Sequence, residues 1–262
     1  MLAMSAPDHL TRLQGKRALV TAAGQGLGAA IAEELLLRGC EVAIHYHRSV
    51  AGAEALIARA AGLGRRACAI QADLSLRRGA EDCVDRAVAA LGGMDILVNN
   101  AGDLVGRRSL AELDEDFVRR TFAINLDSMI WVTQRARPAL EAAAPAAIVN
   151  LASLAGRKGG HAGSLLYSSA KGAVITWTRA LAGELGPRGV RVNCVAPGLI
   201  LGSAFHATHT TPESAAATIA GIPVGRAGRP DDVARAVAYL ASEYDGFITG
   251  ATLDLNGGVY SA

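Results

Sequence analysis

Tyr167 and Lys171 stand four residues apart in a stretch with helical patterning, so their side chains share one face about one turn apart. A free tyrosine titrates near pH 10, too high to trade protons easily at neutrality. A neighbouring ammonium favours the phenolate and lowers that value. The spacing therefore points to a tyrosine that gives or takes a proton. A surface tyrosine and lysine on one helix is the plain alternative, although five tyrosines and three lysines (Lys16, Lys158 and Lys171) seldom produce this spacing by chance. Ser153 follows the apolar run Ala147–Leu151, and its hydroxyl can donate to an oxygen that gains negative charge. Taken alone, a serine in Leu151-Ala152-Ser153-Leu154 reads equally well as a turn or helix cap.

A second group of residues lies near the start. Thr21-Ala22-Ala23-Gly24-Gln25-Gly26-Leu27-Gly28 follows an apolar run and precedes an amphipathic segment from Ala29 to Arg38. Glycines between a strand and a helix let the backbone approach a pyrophosphate, which then rests on the helix N-terminus. Glycine-rich turns without a ligand also occur, so the location in the first strand–helix unit matters.

The elements that would hold both groups are legible as short apolar runs alternating with helical sequence. The runs are 18–20, 41–44, 67–70, 96–98, 147–151, 190–195 and 252–255. Seven runs that do not alternate with polar residues predict a parallel sheet buried on both sides. The expected fold is α/β, a single doubly wound (Rossmann-type) domain with a seven-stranded parallel sheet and helices on both faces. Residues 1–14 read as a tail and 15–262 as the domain. The connection 198–221 lacks clear periodicity and reads as a substrate loop.

Composition narrows the rest. Half the residues are apolar, and a net charge of +2 advertises neither a nucleic-acid nor an anionic membrane surface. Cys40, Cys68, Cys83 and Cys194 lack metal or redox spacing and read as small core residues. No apolar run reaches membrane-spanning length and no signal peptide precedes the first strand, so the cytoplasm is the expected location.

Several motifs in order make the chain, from about Arg17 to Gly258, similar to the short-chain dehydrogenase/reductase family, and within it to 3-oxoacyl-carrier-protein reductases. They are the glycine-rich turn, Asn99-Asn100-Ala101-Gly102, Asn125, Ser153, Tyr167-x-x-x-Lys171 and Pro197-Gly198. The family fingerprint is TGxxxGxG; this chain keeps Thr21, Gly26 and Gly28 but has Ala22 in place of the first glycine. Gly24, two residues on, is expected to restore some freedom. The resemblance implies hydride transfer between a nicotinamide and a ketone or secondary alcohol, with Tyr167 exchanging the proton. It implies that Ser153 bonds the substrate oxygen, that Lys171 also holds the nicotinamide ribose, and that Asn125 orders a water linking Lys171 to solvent. Asn125 reads otherwise as a helix-interior packing residue. Asp73, with Leu74, would lie beside the adenine, and Asp73 could equally cap the following helix, the two roles being compatible. Asn99, Asn100, Ala101, Gly102, Pro197, Gly198 and Ile200 would line the cofactor cleft. A threonine that often follows Pro-Gly is missing, its place falling near Gly202 and Ser203.

An acidic residue at the end of the second strand would bond ribose hydroxyls and favour NAD. This chain reads His45-Tyr46-His47-Arg48-Ser49 there, with no carboxylate from Val42 to Ala53. Arg48 can fork onto a phosphate, with His47 and Ser49 adding donors. The expected cofactor is therefore NADP(H). The run also resembles that of pteridine reductases, which leaves such an activity as an alternative. A His45/His47 metal pair lacks a third ligand.

The expected substrate is a small-molecule carbonyl or alcohol, or a 3-oxoacyl thioester, met by Leu104, Leu154, His161, Leu199 and the 198–221 connection. A carrier protein would want basic residues near the site mouth, but the run from Glu141 to Ala147 has none, leaving Arg188. A non-catalytic dinucleotide sensor would not need the intact Ser153, Tyr167 and Lys171. The family's habit of pairing two long helices suggests a homotetramer, with Met129, Trp131, Val174 and Trp177 as candidate contacts or core residues.

Overall fold

The computed structural model describes residues 13–202, 211–242 and 246–261. The first half of the chain supplies β1 (Arg17–Val20), α1 (Gly26–Leu37), β2 (Glu41–Tyr46), α2 (Val50–Gly62), β3 (Ala67–Gln71), α3 (Arg77–Leu91), β4 (Ile96–Asn99) and α4 (Glu115–Phe122). The second half supplies α5 (Ser128–Ala142), β5 (Ala146–Leu151), α6 (Ala155–Lys158), α7 (Leu165–Leu185), β6 (Val190–Pro197), α8 (Pro212–Ala220), α9 (Pro230–Ala241) and β7 (Thr252–Leu255). All seven predicted strands form, in one parallel sheet ordered β3-β2-β1-β4-β5-β6-β7.

Alternation along each strand feeds two cores. Ala18 and Val20 pack with Ile31, Leu35 and Leu36 of α1 and Val237 of α9. Leu19, between them, joins Val84 of α3, Leu140 of α5 and Leu185 of α7 on the other face. Each such aliphatic side chain contributes roughly 1.5–3 kcal/mol when fully buried, so both faces hold the sheet. β5 is buried throughout, because it has a strand on each side and helices above and below. All four cysteines are free, and burial pushes the thiols of Cys40 and Cys83 up to about 12, so they stay protonated.

Strand order reverses between β1 and β4. The connections leaving those two strands diverge, opening a crevice at the carboxyl edge of the sheet, where ligands of such folds collect.

Two expectations are corrected. Leu13, predicted in the tail, is 1% exposed and belongs to the core beside α1. The connection 198–221 is not irregular throughout: Thr211 accepts from Ser214 N–H, Pro212 opens the first turn, and α8 follows. Its Ser203, Phe205, His206 and His209 lie outside the described residues. For Met129 and Val174 the core-packing alternative fits, since both are buried in the chain's own core, while Trp131 and Trp177 are half-buried. Among the described residues no helix is long and apolar enough to cross a membrane.

Candidate active site

The crevice is pinned first by backbone. Thr21, at the end of β1, accepts through Oγ1 from the N–H groups of Asn100 (2.8 Å) and Ala101 (3.0 Å). Asn100 in turn donates its amide to the carbonyls of Thr21 (2.9 Å) and Ala22 (3.2 Å). The turns after β1 and β4 are thereby locked together across the strand reversal.

The glycine-rich turn departs from expectation in one respect. Gly24 does not supply the left-handed residue; Ala22 takes φ +51° and Gly26 φ +57°. Gly24 is instead required for close approach, since a Cβ there would meet Ser49 O at 2.6 Å and Tyr46 Cβ at 3.1 Å. A Cβ on Gly28 would overlap the Ala22 carbonyl oxygen. α1 therefore begins hard against the turn. Gln25 lends it no side-chain cap and its first turn holds no acid, so the first N–H groups are left to an anion. A dinucleotide pyrophosphate fits this cradle by both shape and sign.

Tyr46, His47, Arg48 and Ser49 follow β2 beside the turn. Arg48 is exposed and makes no ion pair among the described residues. Asp73 accepts from the Ser75 hydroxyl (2.6 Å) and N–H (3.0 Å), which holds its carboxylate below the usual range, with His47 and Arg48 adding to the effect. The cap of α3 is Leu76, so the alternative of Asp73 as that cap is set aside. Leu74 and Ile200 are buried, the latter bridged to Gly228. Gly198 N–H donates to Leu255 O, and Leu154 N–H to Pro197 O. Asn99 spends its amide N–H on Thr133 and Asn150, leaving Oδ1 without a partner.

Beyond β5, Ser153 accepts from Ala155 N–H (3.1 Å), so the turn-cap reading holds, and its side chain lies near enough to the Tyr167 phenol to pull that group's pKa downward. Lys171, one turn along α7, is 4% exposed and donates to Leu151 O at 2.8 Å. Its Nζ lies 5.8 Å from the Tyr167 ring centroid. The sequence expects the ammonium to depress the phenol. In the protein alone, burial wins: it raises Tyr167 to about 12, against the lowering by Ser153, and lowers Lys171 to about 8. The phenol is thus an acid at neutral pH.

Asn125 sits in a π-helical segment, Ala123–Asp127, between α4 and α5. Such segments recur at functional sites. It donates to Asp103 O (2.7 Å) and Thr121 O (2.9 Å) and accepts from Asp103 N–H. A Cβ on Gly102 would lie 2.9 Å from both Asn125 Oδ1 and Lys171 Nζ, so the three meet at one point. Of the expected substrate contacts, Leu104 is buried, Leu154 and Leu199 are half-buried and His161 is exposed. Arg188, the carrier-protein anchor considered above, pairs with Glu141 at 3.4 Å and precedes β6, at the opposite edge of the sheet from Ser153.

Two contributors escape the sequence reading. Arg157, just after Ser153, forks onto Asp254 of β7 with two 3.1 Å bonds, tying the serine's segment to the edge strand. His45 is buried and bonds the glycine-rich turn through its ring. A polar residue inside the apolar run of β2 was its signal, because buried polar groups need partners.

Residues 21–260 match the family model described as enoyl-(acyl-carrier-protein) reductase. Nodulation protein G of Azospirillum brasilense is 39% identical over 93% of this chain and 98% of its own length. The 3-oxoacyl-[acyl-carrier-protein] reductase of Chlamydia pneumoniae is 34% identical over 94% and 98%. A short chain dehydrogenase from Burkholderia cenocepacia, solved in complex with NADP, is 38% identical and superposes with a TM-score of 0.89 over 95% of this chain and all of that one. Matched by the family model over residues 21–260 and by relatives of 34–39% identity across nearly its whole length, the chain belongs to the short-chain dehydrogenase/reductase family of oxidoreductases.

Proposed function

We propose that the protein is an NADP(H)-dependent reductase of a free, small-molecule ketone, with Tyr167 as proton donor. The observation that carries this reading is the gathering of Ser153, Tyr167 and Lys171 beyond the carboxyl end of β5, with Lys171 Nζ on Leu151 O and 5.8 Å from the Tyr167 ring centroid. When bound, the nicotinamide supplies the hydride. Ser153 donates to the carbonyl oxygen as charge develops on it. Tyr167, protonated at neutral pH, passes its proton to the same oxygen. Lys171 would bond the nicotinamide ribose, and Asn125, meeting it beside Gly102, would steady a water that returns the proton.

Exposed Arg48, with no ion pair among the described residues, and the missing carboxylate after β2 support NADP(H) over NAD(H). The pairing of Arg188 with Glu141, at the far edge of the sheet, favours a free substrate over one delivered by a carrier protein. A homotetramer is part of the same proposal; a monomer by sedimentation at micromolar concentration would remove it.

The test is NADPH and NADH consumption over ketones, diketones, quinones, a pterin and an acetoacetyl thioester, with Tyr167→Phe as control. Turnover with NADPH that vanishes in the variant is the expected result. Tight NADPH binding with no turnover of any of them would turn the reading towards a dinucleotide sensor.

A further inference from the structure

Ala22 stands in the left-handed conformation that glycine adopts freely and alanine does not. Such a residue persists only when its surroundings over-determine it. Here both sides of it are fixed. Its carbonyl accepts from Asn100 Nδ2 at 3.2 Å and lies against the Cα of Gly28. Its N–H donates to Nδ1 of His45 at 2.9 Å. The next N–H, that of Ala23, goes to the carbonyl of the same histidine at 2.6 Å.

The far side of the ring is engaged as well. His45 Nε2 lies 3.2 Å from Ala72 O, next to Asp73. A backbone N–H can only donate and a carbonyl can only accept, so the two partners select the neutral ring with its proton on Nε2. Burial agrees, pushing the imidazole down to about 4. One ring thus spans the turn after β1 and the turn after β3.

We infer that His45 is a positioning residue for the dinucleotide turn, its ring holding Ala22 in the left-handed conformation that the absent glycine would have taken unaided. The inference rests on the reading of that turn as the pyrophosphate cradle. A residue acting this way governs cofactor affinity and leaves the proton-transfer group untouched. It also becomes dispensable once position 22 is glycine, which a mere core-filling histidine would not.

The experiment measures NADPH dissociation constants, kcat and thermal midpoints for His45→Phe, His45→Asn, Ala22→Gly and the two double variants. Either single change at His45 should weaken NADPH about tenfold, the loss expected of one buried hydrogen bond, while kcat at saturating NADPH changes less than about twofold. Adding Ala22→Gly should bring the dissociation constant back to within about threefold of wild type. The inference is overturned if the double variants bind as weakly as the singles, or if both single variants bind as wild type does. Should neither single variant fold, the doubles must fold and bind; if they do not, the inference also falls. A wild-type chain that fails to bind NADPH overturns the cradle reading itself, and is distinguishable because no variant is needed to see it.

Discussion

The two halves of the crevice are built from different materials. On the side of β1, β2 and β3 the work falls to backbone: N–H groups at the start of α1, carbonyls tied to Asn100, and glycines that admit close approach. On the side of β5 and α7 it falls to side chains, with the half-buried Tyr167 phenol and Ser153 hydroxyl gathered about the buried Lys171 ammonium. Backbone suits a constant feature such as a pyrophosphate, and alanine stands in for the glycine at position 22 because the His45 ring holds its N–H. Side-chain chemistry does not tolerate exchange, since each group carries its own proton. Changes in the first half should therefore appear in affinity and changes in the second in turnover.

The sharpest break of that contrast is Tyr167→Phe. Turnover should fall by about a thousandfold or more while NADPH affinity stays within about twofold. A parallel loss of affinity, seen in a fluorescence titration, would erase the division. The next largest effect distinguishes the halves by pH. His45 titrates near 4 in the folded chain and at the ordinary 6.5 when unfolded. Between those values the unfolded chain binds a proton that the folded chain does not, so stability is full above pH 6.5 and is lost as pH falls towards 4. The loss is about 3 kcal/mol at most, and urea unfolding from pH 4.5 to 7 should show a slope that His45→Asn flattens. Tyr167 and Lys171, shifted to about 12 and about 8, leave that window alone.

Gly28→Ala tests close approach, because the new Cβ would overlap the Ala22 carbonyl. NADPH binding should weaken about tenfold or more, with kcat at saturation nearly unchanged. Normal affinity would mean that the turn yields easily. The smallest effect is expected from Arg48→Ala, which should weaken NADPH about tenfold and NADH hardly at all. Equal losses for both would place Arg48 away from the extra phosphate.

Much of this was readable in advance for a physical reason. Parallel strands buried on both faces must be apolar, so the seven runs announced the sheet within a residue or two at each end. Tyr167 and Lys171 were legible because four residues on a helix fix a neighbourhood. Less was readable where distant segments meet. The Arg157–Asp254 pair joins residues 97 positions apart, and the Asn125–Gly102–Lys171 meeting joins three separate elements. Periodicity carries no trace of either.

The sequence by itself determined the seven strands, the Tyr-Lys spacing and the glycine-rich turn, since each depends on residues close along the chain. Only the tertiary structure decided which way the balances fell. Burial, a property of the assembled fold, raised the phenol that the local ammonium alone would have lowered. The same assembly set His45 of β2 beside Ala22 of the turn after β1, and so kept in shape a turn whose local sequence lacks its first glycine.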